Sequence, residues 1–291
     1  MADLRAVVLV VGSLHYDILV EADHLPRRDE TAVGTRWYPK FGGKGGNQAV
    51  SAAANGVPTR MVGAVGDDGF GSFLRDRLRA SGVDDRHVTT EPGAGSGMSV
   101  AILDRSGDYA ATIVSGANLL ISPAGLQGPQ VWRDVGLLVL QNEVPEAVNI
   151  AAATEARRRG VPTLLNAAPW REMSFAFKRL VDILVVNAVE AEMMGAAPVR
   201  SLSGAADAAR RLADPFKSVI VTAGSLGLAA WRAPDEPFVL PAEQVEVVSS
   251  HGAGDCFVGA LAAGLSGGSD FRAACRTASH AAALHVAGRP A

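Results

Sequence analysis

The sequence predicts an α/β fold in which a doubly wound, mainly parallel sheet is flanked by helices. Apolar runs of strand length recur along the 291 residues. They are continuous rather than alternating, as in strands that are buried on both faces. Ala- and Arg-rich segments of helical character, residues 147–159 and 205–212, lie between some of the runs. Strands that alternate with helices in this way form parallel sheets. The apolar runs are residues 6–11, 137–140, 162–165, 183–186 and 219–222.

Composition narrows the class of protein. Apolar residues make up 48% of the chain, enough for a large core, and the formal net charge is −3 without a long run of like charge. Binding to nucleic acid or to a membrane surface needs a basic patch, so we expect neither partner. Cys256 and Cys275 have no partner at metal or redox spacing, and neither a signal peptide nor a membrane-length apolar stretch is evident. We therefore expect a cytoplasmic protein.

Two stretches interrupt the alternation and predict a small second sheet. Residues 15–41 contain strand-like pieces joined by a turn rich in Pro and charge, and residues 99–114 have the pattern of a β-hairpin around Ser106-Gly107-Asp108. Antiparallel pieces inserted into a parallel framework suit a lid over the ligand crevice beyond the carboxyl ends of the strands. We expect one domain, 1–291, with a lid from about 15–41 and 97–116.

The most informative segment is Gly252-Ala253-Gly254-Asp255, which precedes a helix-like apolar stretch. Small residues at a helix N-terminus leave backbone N–H groups open to an anion. A carboxylate in the same turn is badly placed to bind phosphate, but it can take a proton from a hydroxyl that attacks phosphorus. Asp255 is therefore a candidate base for phosphoryl transfer. The alternative is that Asp255 only caps the helix.

A second Gly-rich segment, residues 41–50, surrounds Lys44 with glycines. Such a loop lets the backbone approach a ligand while Lys44 and Asn47 supply hydrogen-bond donors. We expect a helix that starts near Asn47 and ends at Asn55-Gly56. The residue after Lys44 is Gly rather than Ser or Thr, so the segment is not a P-loop. The alternative is a flexible surface turn.

Two further segments follow predicted buried strands. Asn187 and Glu190 come after the strand at 183–186 and suit the Mg²⁺–phosphate part of a nucleotide site. The alternative for this pair is a capping box at a helix start. The Gly-rich stretch from Thr222 to Gly227 can wrap a nucleotide with backbone groups, or it can form a tight turn.

Taken in order, these segments resemble the ribokinase-like sugar kinases of the PfkB family nearly end to end, with the ribokinase branch nearest. The order and the spacing of the segments make the resemblance specific, although each piece alone is weak. The matching segments are residues 12–17 (substrate motif), 41–50 (N-terminal signature), 115–118 (end of the lid insertion), 187–190 (Mg²⁺-linked motif) and 252–255 (C-terminal signature).

The resemblance implies an ATP-dependent kinase that phosphorylates a primary hydroxyl of a small, ribose-like sugar with Asp255 as base. It also implies Mg²⁺ as cofactor, an anion hole from the N–H groups of Gly252, Ala253 and Gly254, and a homodimer formed through the lid sheets. The sugar ligands would be His15, Asp17, Gly43, Lys44, Asn47 and Glu143. The ATP site would comprise Asn187, Thr222, Gly224, Ser225, Gly227 and His280, with Glu190 orienting Mg²⁺ through water.

The chain departs from the family pattern at two sites. His15 stands where the family usually has an Asn that binds sugar hydroxyls, which puts ribose specificity in question. Ser249 and His251 stand where ribokinases carry an Asp-Thr pair linked to a monovalent cation, and the sequence ends at Ala291, before the tail that completes that cation loop. We therefore expect little dependence on potassium.

Three alternatives remain open from the sequence. A nucleoside kinase of the same family could use His15, Tyr16 and Trp37 as a surface for a base. A catalytically silent ligand-binding protein on the same scaffold would have no need for Asp255. A dinucleotide-dependent oxidoreductase shares the parallel sheet but needs a glycine fingerprint that the chain lacks.

Overall fold

The protein is described by a computed structural model that covers residues 6–106 and 108–289. Two sheets contain all the strands of this part of the chain. Gly107 of the expected hairpin turn, and residues 290–291 of the chain end, lie outside the described residues. The strands are β1 Val7–Val11, β2 His15–Ala22, β3 Gly34–Gly42, β4 Thr59–Gly66, β5 Val83–Glu91, β6 Met98–Leu103, β7 Tyr109–Val114, β8 Val135–Gln141, β9 Thr163–Asn166, β10 Ile183–Asn187, β11 Ser218–Thr222, β12 Gly227–Arg232 and β13 Phe238–Pro241.

The large sheet has nine strands in the order β13-β12-β11-β10-β9-β8-β1-β4-β5. Its pairs from β11 to β5 are parallel, and β12 and β13 add two antiparallel pairs at one edge. From β1 the chain first builds outward to β4 and β5 and then returns to build the other side from β8. Ligands of open α/β sheets bind where the strand order reverses in this way, between β1 and β8 here.

Helices cover both faces of this sheet, because its strands are apolar on both sides. One face packs against α3 and α6, and the other packs against α1, α2, α7 and α8. The fold class expected from the sequence is therefore confirmed. The helices are α1 Lys44–Ala54, α2 Gly69–Ala80, α3 Glu146–Arg158, α4 Phe175–Lys178, α5 Ala188–Met193, α6 Leu202–Arg211, α7 Ala253–Ser266 and α8 Phe271–Val286.

The small sheet has four strands in the order β3-β2-β6-β7, drawn from the two interrupting stretches of the sequence. β2 pairs with β6 in parallel, and the other two pairs are antiparallel. β2 follows β1 after only three residues, so this sheet begins at the carboxyl end of a central strand. Several of its apolar side chains are exposed, among them Trp37 and Ile113.

The structure differs from the sequence expectations in two respects. α1 begins at Lys44 rather than near Asn47, so Gly45 and Gly46 lie inside a helix that their low helix propensity argued against. Both glycines approach the chain after β1 closely: a Cβ on Gly45 would lie 2.6 Å from the Ser13 nitrogen. β4, β5, β12 and β13 were not predicted from the sequence. Over the described residues, no helix has the length and apolar character that crossing a membrane requires.

Candidate active site

Polar residues from separate segments meet at the carboxyl edge of the large sheet. Gln141, the last residue of β8, pairs with Asn166 at the end of β9. Asn187 and Thr222 are opposite each other at the ends of β10 and β11. Because the strands are parallel, their carboxyl ends lie along one edge, and the loops that follow them face the same crevice.

Asp255 lies in the first turn of α7, directly above this edge. The N-cap of α7 is Gly252, whose backbone is left-handed with φ 80°, so Asp255 does not cap the helix. The capping alternative is therefore wrong. Asp255 is 8% exposed, which is unusual for a carboxylate without an ion pair. Of the three N–H groups expected to form an anion hole, that of Ala253 donates to the Ser250 carbonyl at 3.3 Å.

Two amides of α1 hold the Asp255 carboxylate. Asn47 donates from Nδ2 to Oδ2 at 3.2 Å, and Gln48 donates from Nε2 to Oδ1 at 2.9 Å. Burial is the main influence on the pKa of Asp255 and raises it, while the nearby positive charge of Lys44 and the two amides act in the opposite direction. A carboxylate whose charged form is poorly solvated binds a proton more readily, and it is therefore a stronger base.

Gln48 lies in the Gly-rich segment 41–50, and its role was not predicted from the sequence. Its side chain is fully buried and also donates to Asn166 Oδ1 at 3.1 Å, while its Oε1 accepts from Gln141 Nε2 at 2.8 Å. Gln48 thus joins α1 and α7 to the ends of β8 and β9. The sequence signal that could have indicated this role is a Gln within an otherwise apolar helix face, because a buried amide needs hydrogen-bond partners.

Glu143 connects the two central strands at the point where the strand order reverses. It follows β8, and its Oε2 accepts from the Ser13 hydroxyl at 2.5 Å and from the Lys44 backbone N–H at 2.8 Å. Ser13 follows β1, and this contact of its side chain was not predicted from the sequence. His15 Nδ1 lies 4.0 Å from the same Glu143 oxygen.

A cavity of about 250 Å³ opens beside Glu143. It is lined by polar residues, including His15, Asn142 and Arg171. Its apolar lining comes from the small sheet, the turn after β7 and the loops after β8 and β9. Several buried polar atoms of these residues have no hydrogen-bond partner: His15 Nε2, both side-chain polar atoms of Asn142, and Nε and Nη2 of Arg171. An apolar wall with convergent polar groups is typical of small-molecule sites.

Asp17 lies on β2 and accepts from the Ser99 hydroxyl of β6 at 2.5 Å. Burial is the largest influence on its pKa and raises it, whereas Ser99 and the nearby His15 and His251 lower it. The position of the Asp17 carboxylate depends on Gly42 of the paired strand β3, because a Cβ on Gly42 would lie 1.9 Å from Asp17 Oδ2.

Asn187 and Glu190 form a capping box, which was the alternative hypothesis for this pair. The Asn187 side chain accepts from the Glu190 N–H at 2.8 Å, and Glu190 Oε2 accepts from the Asn187 N–H at 2.8 Å. Glu190 is nevertheless close to the site. Burial raises its pKa, and the charges of Lys44 and Asp255 both act on it.

The loop after β11 carries the other expected nucleotide contacts. Thr222 Oγ1 donates to the Val186 carbonyl at 3.4 Å, and Ser225 is exposed. Gly224 and Gly227 have φ values of 55° and 115°. Gly227 also has a packing role, because a Cβ there would lie 2.1 Å from the Leu240 carbonyl.

His280 of α8 is exposed, and its Nδ1 lies 2.9 Å from Glu243 Oε2. The segment that carries Glu243 joins β13 to α7. The two residues therefore link that segment to α8.

The stacking surface suggested for a nucleoside base is not formed. Tyr16 stacks on Phe70 at 4.0 Å between ring centroids and packs edge-on against Phe73, so its ring is engaged inside the protein. Trp37 pairs with Val20 near the far end of β2 and is 64% exposed. His15 alone of the three lines the cavity. In the described part of the chain, no three His, Cys, Asp or Glu residues are grouped so that they could hold a metal ion.

Comparison with known proteins identifies a family. The family description "pfkB family carbohydrate kinase" matches residues 5–289. The chain is 33% identical to the ribokinase of Bacillus subtilis over 280 residues, which cover 96% of the chain and 92% of that protein. It is 31% identical to the deoxyribokinase of Salmonella typhi over 285 residues, which cover 97% of the chain and 93% of that protein.

Solved structures show the same fold. The ribokinase of Arabidopsis thaliana complexed with ribose and ATP superposes with a TM-score of 0.90 at 30% identity, covering 97% of this chain and 92% of that one. A nucleoside kinase of Burkholderia thailandensis in complex with inosine has a TM-score of 0.77 at 22% identity, covering 97% and 91%. At that identity the second likeness shows the fold alone.

Proposed function

The chain belongs to the pfkB family of carbohydrate kinases, and from this we propose that it transfers the γ-phosphoryl group of ATP to a primary hydroxyl of a ribose-like sugar, with Asp255 as base. The observation that carries the proposal is the environment of Asp255. A buried carboxylate, oriented by two amides and standing at a helix N-terminus, is suited to remove a proton next to a developing negative charge.

The sugar binds beside Glu143, between this cavity and Asp255. Glu143 and His15 line the cavity, whereas Asp17, Lys44 and Asn47 do not. Glu143 and Asp17 accept hydrogen bonds from sugar hydroxyls, while Asn47 and the Lys44 ammonium donate to them. The unpartnered Nε2 of His15 supports this assignment, because a buried ring nitrogen without a partner is stabilised by a ligand that supplies one. Gly43, with φ 84°, lets the backbone before α1 turn against Leu14 and His15 and closes this side of the site.

Asp255 takes the proton of the acceptor hydroxyl as its oxygen attacks the γ-phosphorus in line with the departing ADP. The attacking oxygen forms the new P–O bond, the bond to the β-phosphate oxygen breaks, and the proton remains on Asp255. The backbone N–H groups of Gly252 and Gly254, and that of Ala253 once it is released from Ser250, point at the transferred group. The macrodipole of α7 favours negative charge there.

ATP lies between the loop 222–227 and α8. Thr222, Gly224 and Ser225 face the nucleotide after β11, Gly227 shapes that loop, and His280 lies on the adenine side. Asn187 and Glu190 border the phosphates. Magnesium fits Glu190 as a water-mediated partner, since Oε2 bonds to Asn187 while Oε1 accepts no hydrogen bond from a described residue. When bound, Mg²⁺ neutralises phosphate charge.

The small sheet acts as a lid over the sugar and excludes water from the transfer, within a single domain that spans the whole chain. Its exposed apolar side chains, Trp37 among them, support a homodimer formed through the lid sheets. Sedimentation or light scattering of the wild type and of Trp37→Glu checks this. A monomeric wild type contradicts the dimer without affecting the proposed chemistry.

Ribose and 2-deoxyribose are the acceptors that the similar enzymes suggest. A nucleoside is disfavoured because Tyr16 and Trp37 do not form the stacking surface that its base would need. ADP release measured with D-ribose, 2-deoxy-D-ribose, D-fructose and adenosine tests the acceptor class, with Asp255→Asn as the inactive control. We expect turnover on a pentose and none on adenosine. Turnover on adenosine alone would replace the sugar assignment, and turnover on neither a sugar nor adenosine would overturn the proposed function.

A further inference from the structure

The segment between β13 and α7, residues 242–251, is here named the strap. It forms neither helix nor strand, and Val247 and Val248 in it are 67% and 70% exposed. It leads directly into Gly252, whose N–H is one of the donors that face the phosphoryl group in the proposed function. The orientation of that donor therefore depends on what holds the end of the strap.

The last turn of α8 holds the end of the strap by hydrogen bonds. The Val286 carbonyl accepts from the N–H groups of Val248 at 2.9 Å and of Ser249 at 3.2 Å. His285 adds a side-chain contact, since its Nε2 lies 2.8 Å from the His251 carbonyl oxygen. The ring also lies against the next residue: a Cβ on Gly252 would be 3.3 Å from His285 Nε2.

The helix that carries His285 is anchored in the core. One turn earlier on α8, Ala281 is buried, and so are Ala278 and Ala274, all in the core layer that α8 shares with α7. An imidazole on such a helix holds its hydrogen-bond partner in a fixed position relative to α7. The strap contributes no residue to the hydrophobic core that could hold it in a fixed position relative to α7.

We propose that His285 is a positioning residue that fixes the peptide plane between His251 and Gly252, and thereby aims the Gly252 N–H at the transferred phosphoryl group. The carbonyl of His251 and the N–H of Gly252 belong to one planar unit and point in opposite directions in a trans peptide. A bond to the carbonyl therefore sets the direction of the N–H. The hydrogen bond from His285 is needed because glycine adopts left- and right-handed backbone conformations with similar ease. Without this bond, the peptide between His251 and Gly252 can rotate.

The hydrogen-bonding chemistry of this contact determines which substitutions of His285 test it. A carbonyl oxygen only accepts, so His285 Nε2 carries the hydrogen, which holds for both the Nε2–H tautomer and the imidazolium. Glutamine places an N–H donor near the position of Nε2, whereas leucine fills similar space without a donor. His285→Gln is therefore the rescue variant and His285→Leu the disrupting one. Arg276→Ala, an exposed change on the same helix, is the matched control.

The inference rests on the proposed function, and steady-state kinetics on the full-length chain test it. We expect His285→Leu to lower kcat by roughly tenfold or more, the scale of an impaired anion-hole donor, with the KM for the sugar and the melting temperature unchanged. His285→Gln recovers most of the rate, and Arg276→Ala matches the wild type. In ¹⁵N spectra of histidine-labelled protein, neutral His285 shows a protonated Nε2.

Other outcomes separate the two proposals. A wild-type kcat in His285→Leu, together with an inactive Asp255→Asn, overturns the positioning role and leaves the proposed function intact. An equal loss in His285→Leu and His285→Gln, or a matching fall in melting temperature, also overturns it, because the effect would then be structural. An active Asp255→Asn overturns the proposed function itself.

Discussion

The Gln48 amide nitrogen lies 2.9 Å from Asp255 Oδ1 and so joins the first turn of α7 to the middle of α1. The two residues are 207 positions apart in sequence. The same Gln48 side chain also contacts Asn166 and Gln141 at the strand ends. A single amide therefore fixes the Asp255 carboxylate with respect to the sheet edge.

Asp255→Asn removes the base and the buried charge together. We expect kcat to fall by about 10²–10⁴-fold, the usual contribution of a general base, while ATP binding persists. Burial raises the pKa of Asp255, so ionisation is less favourable in the folded protein than in the unfolded chain. Replacing the charged group should consequently leave the melting temperature equal or higher. Calorimetry and ATP titration measure these quantities, and a lower melting temperature or a loss of ATP binding contradicts the expectation.

The raised pKa of Asp255 also predicts the pH dependence. The base acts only when ionised, so kcat/KM falls as the pH drops through its pKa, and the acid limb lies above the ordinary Asp value of about 3.9. Gln48→Glu places a second carboxylate beside Asp255, which disfavours ionisation and moves this limb to higher pH. Gln127→Glu makes the same change at an exposed position and should not move it. A limb at the same pH in both variants contradicts the pairing of Gln48 with the base.

Gly42→Ala tests the support of Asp17. The new Cβ would lie 1.9 Å from Asp17 Oδ2, so the carboxylate must move out of its position on β2. We expect the KM for the sugar to rise by about tenfold or more, in line with loss of a charged hydrogen bond of about 1.5–3 kcal/mol. The KM for ATP should stay constant. Gly69→Ala, where a Cβ meets nothing within 4 Å, is the control and should behave as wild type.

Potassium should have little effect on the rate. Ser249 offers a hydroxyl where the ribokinase resemblance implies a cation-linked carboxylate, and the His251 carbonyl already accepts from His285. The measurement compares initial rates in potassium chloride and in tetramethylammonium chloride at equal ionic strength. A several-fold rise with potassium would show that a cation site forms without these groups.

Some local structure was unpredictable because neighbours outweigh propensity. Gly45 and Gly46 argued for a loop, yet they are helical, because α1 must pass within contact distance of Ser13 and Leu14, where a side chain would not fit. The capping alternative for Asp255 failed for a related reason. Gly252 supplies the left-handed residue at the helix start, and this leaves Asp255 inside the first turn.

The sequence by itself determined the parallel α/β class and the family, because continuous apolar strands and the order of the Gly-rich segments are local properties of the chain. It also singled out Asp255, Lys44, Asn47 and Glu143, whose residue types carry the chemistry. Only the tertiary structure revealed Gln48 and Ser13 as partners of those carboxylates and His285 as a support for the strap. Hydrogen bonds between elements far apart in sequence depend on how helices pack onto the sheet, and no spacing along the chain encodes them.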